Sequence, residues 1–125
     1  MKERSLVLIK PDAVIDGRGE EIITFIKEKG AKVVLTKMIE CSPNRLKLLY
    51  PHVTLSDSIS TMLENFKKGP AILVIFEGLN ATIIGIEAKR FFRERYYYGY
   101  YGSTIHASDN QKEFEREFNI LLEKP

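Results

Sequence analysis

The sequence predicts an α/β (α+β) domain: a ferredoxin-like β-α-β-β-α-β sandwich with a four-stranded antiparallel sheet and surrounding helices. Three observations lead there. Four short apolar or β-branched runs, Ser5–Ile9, Lys32–Ile39, Ala71–Phe76 and Thr104–His106, are separated by stretches with helical spacing. The resulting order, β-α-β-α-α-β-α-β-α, is that core with extra helices. A chain of 125 residues, 44% hydrophobic and 29% charged, fits one globular domain over residues 1–125, with no repeat or linker. Such a chain buries roughly two-thirds of its unfolded surface and needs no disulfide or metal to hold a core.

Each element has a local reason. Ser5-Leu6-Val7-Leu8-Ile9 reads as a buried strand that stops in a polar turn at Lys10-Pro11-Asp12, with Gly17 and Gly19 punctuating the connection. Glu20 and Glu21 open a helix at its positive end, Ile22, Ile23 and Ile26 form its stripe, and Gly30 caps it. Lys32–Ile39 is the second strand. Pro43 starts a short helix to Tyr50, and another runs from about Ser56 to Lys68, before Gly69-Pro70. Ala71–Phe76, the most apolar run, reads as a central strand. Ala81 to Arg95 reads as helix. Five of the six tyrosines then follow within Tyr96–Tyr101. Ser108-Asp109-Asn110-Gln111 has the spacing of a capping box, and Phe114, Phe118, Leu121 and Leu122 line one face of the helix behind it.

Composition narrows the function. The single cysteine, Cys41, excludes an internal disulfide and a cysteine-based zinc site. The longest apolar run is about six residues, far short of a membrane span. Met1 leads directly into Lys2-Glu3-Arg4 and a strand, with no visible signal peptide. The expectation is a soluble cytoplasmic domain. Nineteen basic against seventeen acidic residues leave a charge of +2, too small for a nucleic-acid coat but no obstacle to a polyphosphate.

Candidate chemistry centres on His106. Alone it reads equally as a surface histidine. Ser108 and Glu117 follow at +2 and +11, where a capped helix brings a carboxylate back toward the imidazole. Glu117 lies beside Phe114 and Leu121 at the edge of the apolar stripe, and a half-buried carboxylate needs a partner. Holding one ring nitrogen fixes the tautomer and leaves the other free to attack. The plain alternatives are a solvated helix charge for Glu117 and a simple cap for Ser108. Lys10 ends a buried strand, where side chains in α/β folds gather for function, and its ammonium suits a phosphate. Tyr50 reads as a core aromatic or as a phosphate-facing hydroxyl.

Val7-Leu8-Ile9-Lys10-Pro11-Asp12-Ala13-Val14, Gly19-Glu20-Glu21-Ile22-Ile23, Gly69-Pro70, Glu77-Gly78-Leu79-Asn80-Ala81 and His106-Ala107-Ser108-Asp109 occur in this order. Together they resemble the nucleoside diphosphate kinase family across nearly the whole chain. The resemblance implies the ferredoxin-like fold and ping-pong exchange of γ-phosphate between nucleoside tri- and diphosphates with Mg²⁺, the ion held mainly by the nucleotide phosphates. His106 falls on the phosphorylated histidine, Lys10 and Tyr50 on phosphate-contacting residues, and Ser108 and Glu117 on the pair that orients the histidine. A homo-oligomer is implied too, a dimer at least, built from the edge strand Lys32–Ile39 and the helix Gly19–Gly30.

The chain departs from the family at defined positions. Ser56 stands where the family has a phosphate-binding arginine, Ser58 where a phenylalanine stacks on the base, and Ser103 where an asparagine contacts ribose and phosphates. About ten residues are missing between Asn80 and His106, with another phosphate arginine and much of a loop that packs at a trimer interface. Arg90 and Arg93, at i and i+3 in a helix with Lys89 and Arg95 nearby, are candidate replacements; the alternative is a solvated basic face. The tyrosine cluster is a candidate stacking surface, or packing in an interface or core. Two rival readings remain at this level: a kinase-like binding or regulatory module without efficient turnover, and nucleic-acid binding through the Tyr/Arg stretch, which the small net charge opposes.

Overall fold

The computed structural model describes residues 2–53, 56–96 and 104–122, with no side-chain description for 56–58. Ser56 and Ser58 as side chains, the tyrosines beyond Tyr96, and Ser103 therefore lie outside the described residues. Strands β1 (Glu3–Ile9), β2 (Lys32–Ile39), β3 (Ala71–Gly78) and β4 (Ile105–Ala107) form one sheet in the order β2-β3-β1-β4. Every neighbouring pair is antiparallel. This is the ferredoxin-like arrangement expected from the element order. Ala71–Phe76 is indeed central, paired to β1 through Leu6↔Ile75 and Val7↔Val74 and to β2 through Thr36↔Val74.

Strand alternation divides the core. Val7, Ile9, Val74, Phe76, Ile105 and Ala107 face helices α2 (Gly19–Glu28) and α5 (Ala81–Arg95). Leu6, Leu8, Leu73 and Ile75 face α3 (Pro43–Leu49), α4 (Ser56–Phe66) and α6 (Gln111–Leu122). The same parity carries Lys10 and His106 to the second face, because each follows a residue committed to the first. Gly85 lets α5 approach the sheet: a Cβ there would lie 3.3 Å from the Phe76 ring and 3.7 Å from Ala107. That close approach brings α5 against β4, beside His106.

Helix α2 ends as expected at Gly30, whose φ of +102° is left-handed. Gly30 N–H donates to Lys27 and Ala31 N–H to Ile26, which makes a Schellman motif. Two local expectations are corrected. The stretch after Lys10 is a short helix, α1 (Pro11–Ile15), instead of a plain turn. Five residues are too few to show periodicity, and Pro11 at N1 is preorganised to start a helix. Ser108 does not cap α6. Asn110 Oδ1 accepts from Glu113 N–H at 2.8 Å, while the Gln111 side chain donates to Arg4 carbonyl and Thr82. The Ser108 hydroxyl is engaged elsewhere.

Candidate active site

His106 lies on the edge strand β4, opposite Leu8, with its ring turned toward α3 and α6. Its Nε2 lies 2.8 Å from Glu117 Oε2, and the Ser108 hydroxyl donates to Glu117 Oε1 at 2.5 Å. With Glu117 assigned as the acceptor of both contacts, the proton sits on Nε2 and the Nδ1 lone pair is the one left for chemistry. Glu117 is 3% exposed and Ser108 fully buried. A carboxylate this deep is tolerable only with both oxygens engaged, and His106 and Ser108 engage them. The spacing reading of these three residues thus corresponds to a physical chain of hydrogen bonds.

Tyr50 follows α3 directly and is set edge-on to the His106 ring, centroids 5.3 Å apart. Its hydroxyl is buried without a hydrogen-bond partner among the described residues. Burial first, then the neighbouring Cys41 and Glu117, push this phenol upward in pKa, so it stays a protonated donor. An orphaned buried donor is costly, and a ligand oxygen would satisfy it. Lys10 Nζ lies over the Tyr50 ring at 5.4 Å and the Phe66 ring at 6.0 Å. Burial, with Arg93 adding repulsion, lowers its pKa from 10.5 to about 7. An arriving phosphate reverses that balance, because a nearby negative charge favours the ammonium.

Tyr50, His106 and Glu117 line a cleft of about 620 Å³ with His52, Lys89, Arg93 and Arg116 among others, whereas Lys10 lies behind Tyr50 and is not part of its lining. Of the two arginines singled out as replacements, Arg93 lines the cleft and Arg90 does not; Lys89 stands there instead. Arg93 Nε donates to the Ile105 carbonyl at 3.0 Å, fixing the guanidinium beside β4. Burial lowers its pKa, yet a guanidinium keeps its proton. Arg116 escaped the sequence reading. It donates to the carbonyls of Leu48 and Leu49 at 2.7 and 3.2 Å and lies 3.6 Å from Glu117 Oε2. Thus it ties the last carbonyls of α3, just before Tyr50, to the helix that holds Glu117. The sequence signals were its place next to Glu117 and its i,i+3 spacing from Glu113, with which it pairs at 2.8 Å.

Tyr96, the one described member of the tyrosine cluster, is committed to structure. Its hydroxyl donates to Glu21 at 2.8 Å and the Arg18 guanidinium stacks on its ring at 4.0 Å. The buried Thr104 hydroxyl donates to the Tyr96 carbonyl at 2.6 Å. Among the described residues no three His, Cys, Asp or Glu side chains are grouped to hold a metal ion. Nor is any helix long and apolar enough to cross a membrane.

A family model described as nucleoside diphosphate kinase matches residues 3–125. The nucleoside diphosphate kinase of Pyrococcus furiosus is 30% identical over 133 residues, covering 96% of this chain and 83% of that protein. That of Archaeoglobus fulgidus is 27% identical over 130 residues, covering 96% and 86%. Among solved structures, the nucleoside diphosphate kinase of Encephalitozoon cuniculi superposes with a TM-score of 0.84 at 25% identity, over 98% of this chain and 90% of that one. Matched over nearly its whole length in sequence and in fold, the chain belongs to the nucleoside diphosphate kinase family.

Proposed function

We propose that residues 1–125 act as a single domain that exchanges phosphate between nucleoside tri- and diphosphates, with His106 holding the phosphoryl group in transit. The observation that carries this reading is the His106–Glu117–Ser108 chain at 2.8 and 2.5 Å, which presents Nδ1 as the nucleophile. The Nδ1 lone pair forms a bond to the γ-phosphorus as the bond to the bridging β,γ-oxygen breaks, and that oxygen leaves with the electron pair on the diphosphate. Positive charge grows on the ring and is stabilised by Glu117, which holds the Nε2 proton. A second diphosphate then attacks the phosphorus, and the ring recovers its lone pair. Tyr50 supplies its orphaned hydroxyl, and Lys10 its ammonium, to the transferred oxygens. Arg93 adds positive charge on the α5 side.

Magnesium fits this site as a companion of the substrate. With no cage of protein ligands among the described residues, the nucleotide's own phosphate oxygens would hold it, as the ion's preference for phosphates and water allows. When bound it neutralises charge on the phosphates and so assists departure of the diphosphate. The reading places the protein in the cytoplasm and assembles it as a homodimer at least, through the edge strand β2. In support, Val34, Leu35 and Met38 on that edge are exposed, Met38 by 61%.

A catalytic enzyme is favoured over a binding module because nucleophile, orienting carboxylate and phosphate-facing hydroxyl converge on one cleft. The test is incubation with magnesium and γ-labelled ATP, followed by mapping of acid-labile phosphate. Label is expected on His106, absent from His106→Ala, and lost on adding a diphosphate. Label that persists in His106→Ala, or that a diphosphate does not remove, overturns the assignment.

A further inference from the structure

Lys89 and Arg93 stand one turn apart on α5, and both face the cleft beside His106. Lys89 is largely enclosed, its side chain 23% exposed, and its ammonium lies 3.2 Å from Asp109 Oδ1. Asp109 stands three residues after His106, just ahead of α6, and is 71% exposed. The pair is lopsided. Its cation is lodged in the cleft wall, while its carboxylate stands in water, where an ion pair is weakly held and readily exchanged for another anion.

Among the described residues, the other cations of the cleft wall are anchored on backbone carbonyls. Arg116 is engaged with two α3 carbonyls, Glu113 and Glu117. Arg93 has its Nε fixed on the Ile105 carbonyl. The chain also carries Ser56 where the family resemblance expects an arginine. A nucleoside diphosphate entering the cleft brings a multiply charged anion that competes with the single charge of Asp109.

We infer that Lys89 is a phosphate contact for the bound nucleoside diphosphate, and that Asp109 is the counter-ion it gives up when the phosphate arrives. The inference rests on the phosphotransferase reading and adds a binding residue to the same site. Asp109 thereby keeps the ammonium neutralised and oriented across the cleft between turnovers. Lysine suits this exchange, because its ammonium is a compact point charge on a flexible stem.

The test is calorimetric titration of the full chain with ADP, and with adenosine as the phosphate-free control. Lys89→Ala is expected to weaken ADP binding about tenfold, while adenosine affinity stays within about twofold. Its effect on turnover falls on KM for the diphosphate more than on kcat. Lys89→Arg, keeping the charge, stays within about threefold of wild type for ADP. Asp109→Asn binds ADP about two- to threefold more tightly, since the competing anion is gone. Lys67→Ala breaks a fully solvated pair with Glu64 away from the cleft and leaves ADP affinity unchanged.

ADP affinity within twofold of wild type in folded Lys89→Ala overturns the inference, and so does an equal loss for adenosine. Weaker ADP binding by Asp109→Asn overturns the counter-ion role. Phosphate mapping on the wild type separates the two levels. A labelled His106 with normal ADP binding by Lys89→Ala refutes the lysine contact alone, whereas an unlabelled His106 refutes the parent reading.

Discussion

Replacing Lys10 by methionine should make the protein more stable and less active at once. The ammonium is 7% exposed as a residue and meets the faces of Tyr50 and Phe66. Burial, then Arg93, lower its pKa from 10.5 to about 7. That drop corresponds to about 5 kcal/mol for keeping the charge inside the fold, with about 3–5 a realistic range. Below pH 7 the lysine is protonated both folded and unfolded, so the whole penalty acts on the native state. Between pH 7 and 10.5 the folded protein has released the proton while the unfolded chain still holds it, so wild-type stability rises with pH. At pH 9 about 2 kcal/mol of penalty remains.

Lys10→Met keeps the stem, fills the same space and removes the charge. Urea unfolding should therefore show the variant about 3–5 kcal/mol more stable at pH 6 and about 2 more stable at pH 9. Phosphate exchange should fall about 10²–10³-fold, the scale of one lost charge contact in a transition state. A variant no more stable than wild type at pH 6, or a stability gap that does not change between pH 6 and 9, would show that Lys10 is not held against its desolvation. Wild-type exchange by the folded variant would remove it from the mechanism.

Glu117→Ala strands the Ser108 hydroxyl and frees the His106 ring, and should cut formation of phosphohistidine by about 10²-fold or more in rapid-quench labelling; Ser108→Ala, which leaves one contact on Glu117, should cost less. Arg116→Ala unties α3 from α6 and should lower stability by about 1–2 kcal/mol in urea unfolding, discounted for its partial exposure. Arg116→Lys keeps a charge near Glu117 but cannot fork onto two carbonyls, so it should recover only part of that loss. Met38→Glu with Leu35→Lys places charge on the exposed β2 edge and should convert the proposed dimer to monomer in light scattering across a concentration series, whereas a dimeric mass in both wild type and variant would exclude this edge as the interface.

The sequence by itself determined the sheet and its two coats of helices. Apolar runs such as Ala71–Phe76 and stripes such as Ile22, Ile23 and Ile26 are local patterns, and strand alternation needs no tertiary knowledge to assign faces. It also brought out His106, Ser108 and Glu117, because a carboxylate at the edge of an apolar stripe is a local anomaly that asks for a partner. Where a choice depended on the packing of one element on another, local pattern was silent. Lys89 and Arg90 are at four and three residues from Arg93, equally good helical neighbours; only the seating of α5 on β4 through Gly85 decided that Lys89 faces the cleft. The Ser108 spacing satisfied a capping rule, yet its hydroxyl went to the buried Glu117, where an unmet oxygen costs more than an uncapped helix end that Asn110 could serve instead. Arg116 showed only an ordinary i,i+3 pairing with Glu113, since the carbonyls it ties down are 67 and 68 residues away. Likewise the lowered pKa of Lys10 comes from desolvation, a property of everything packed around a charge and of nothing beside it in the chain.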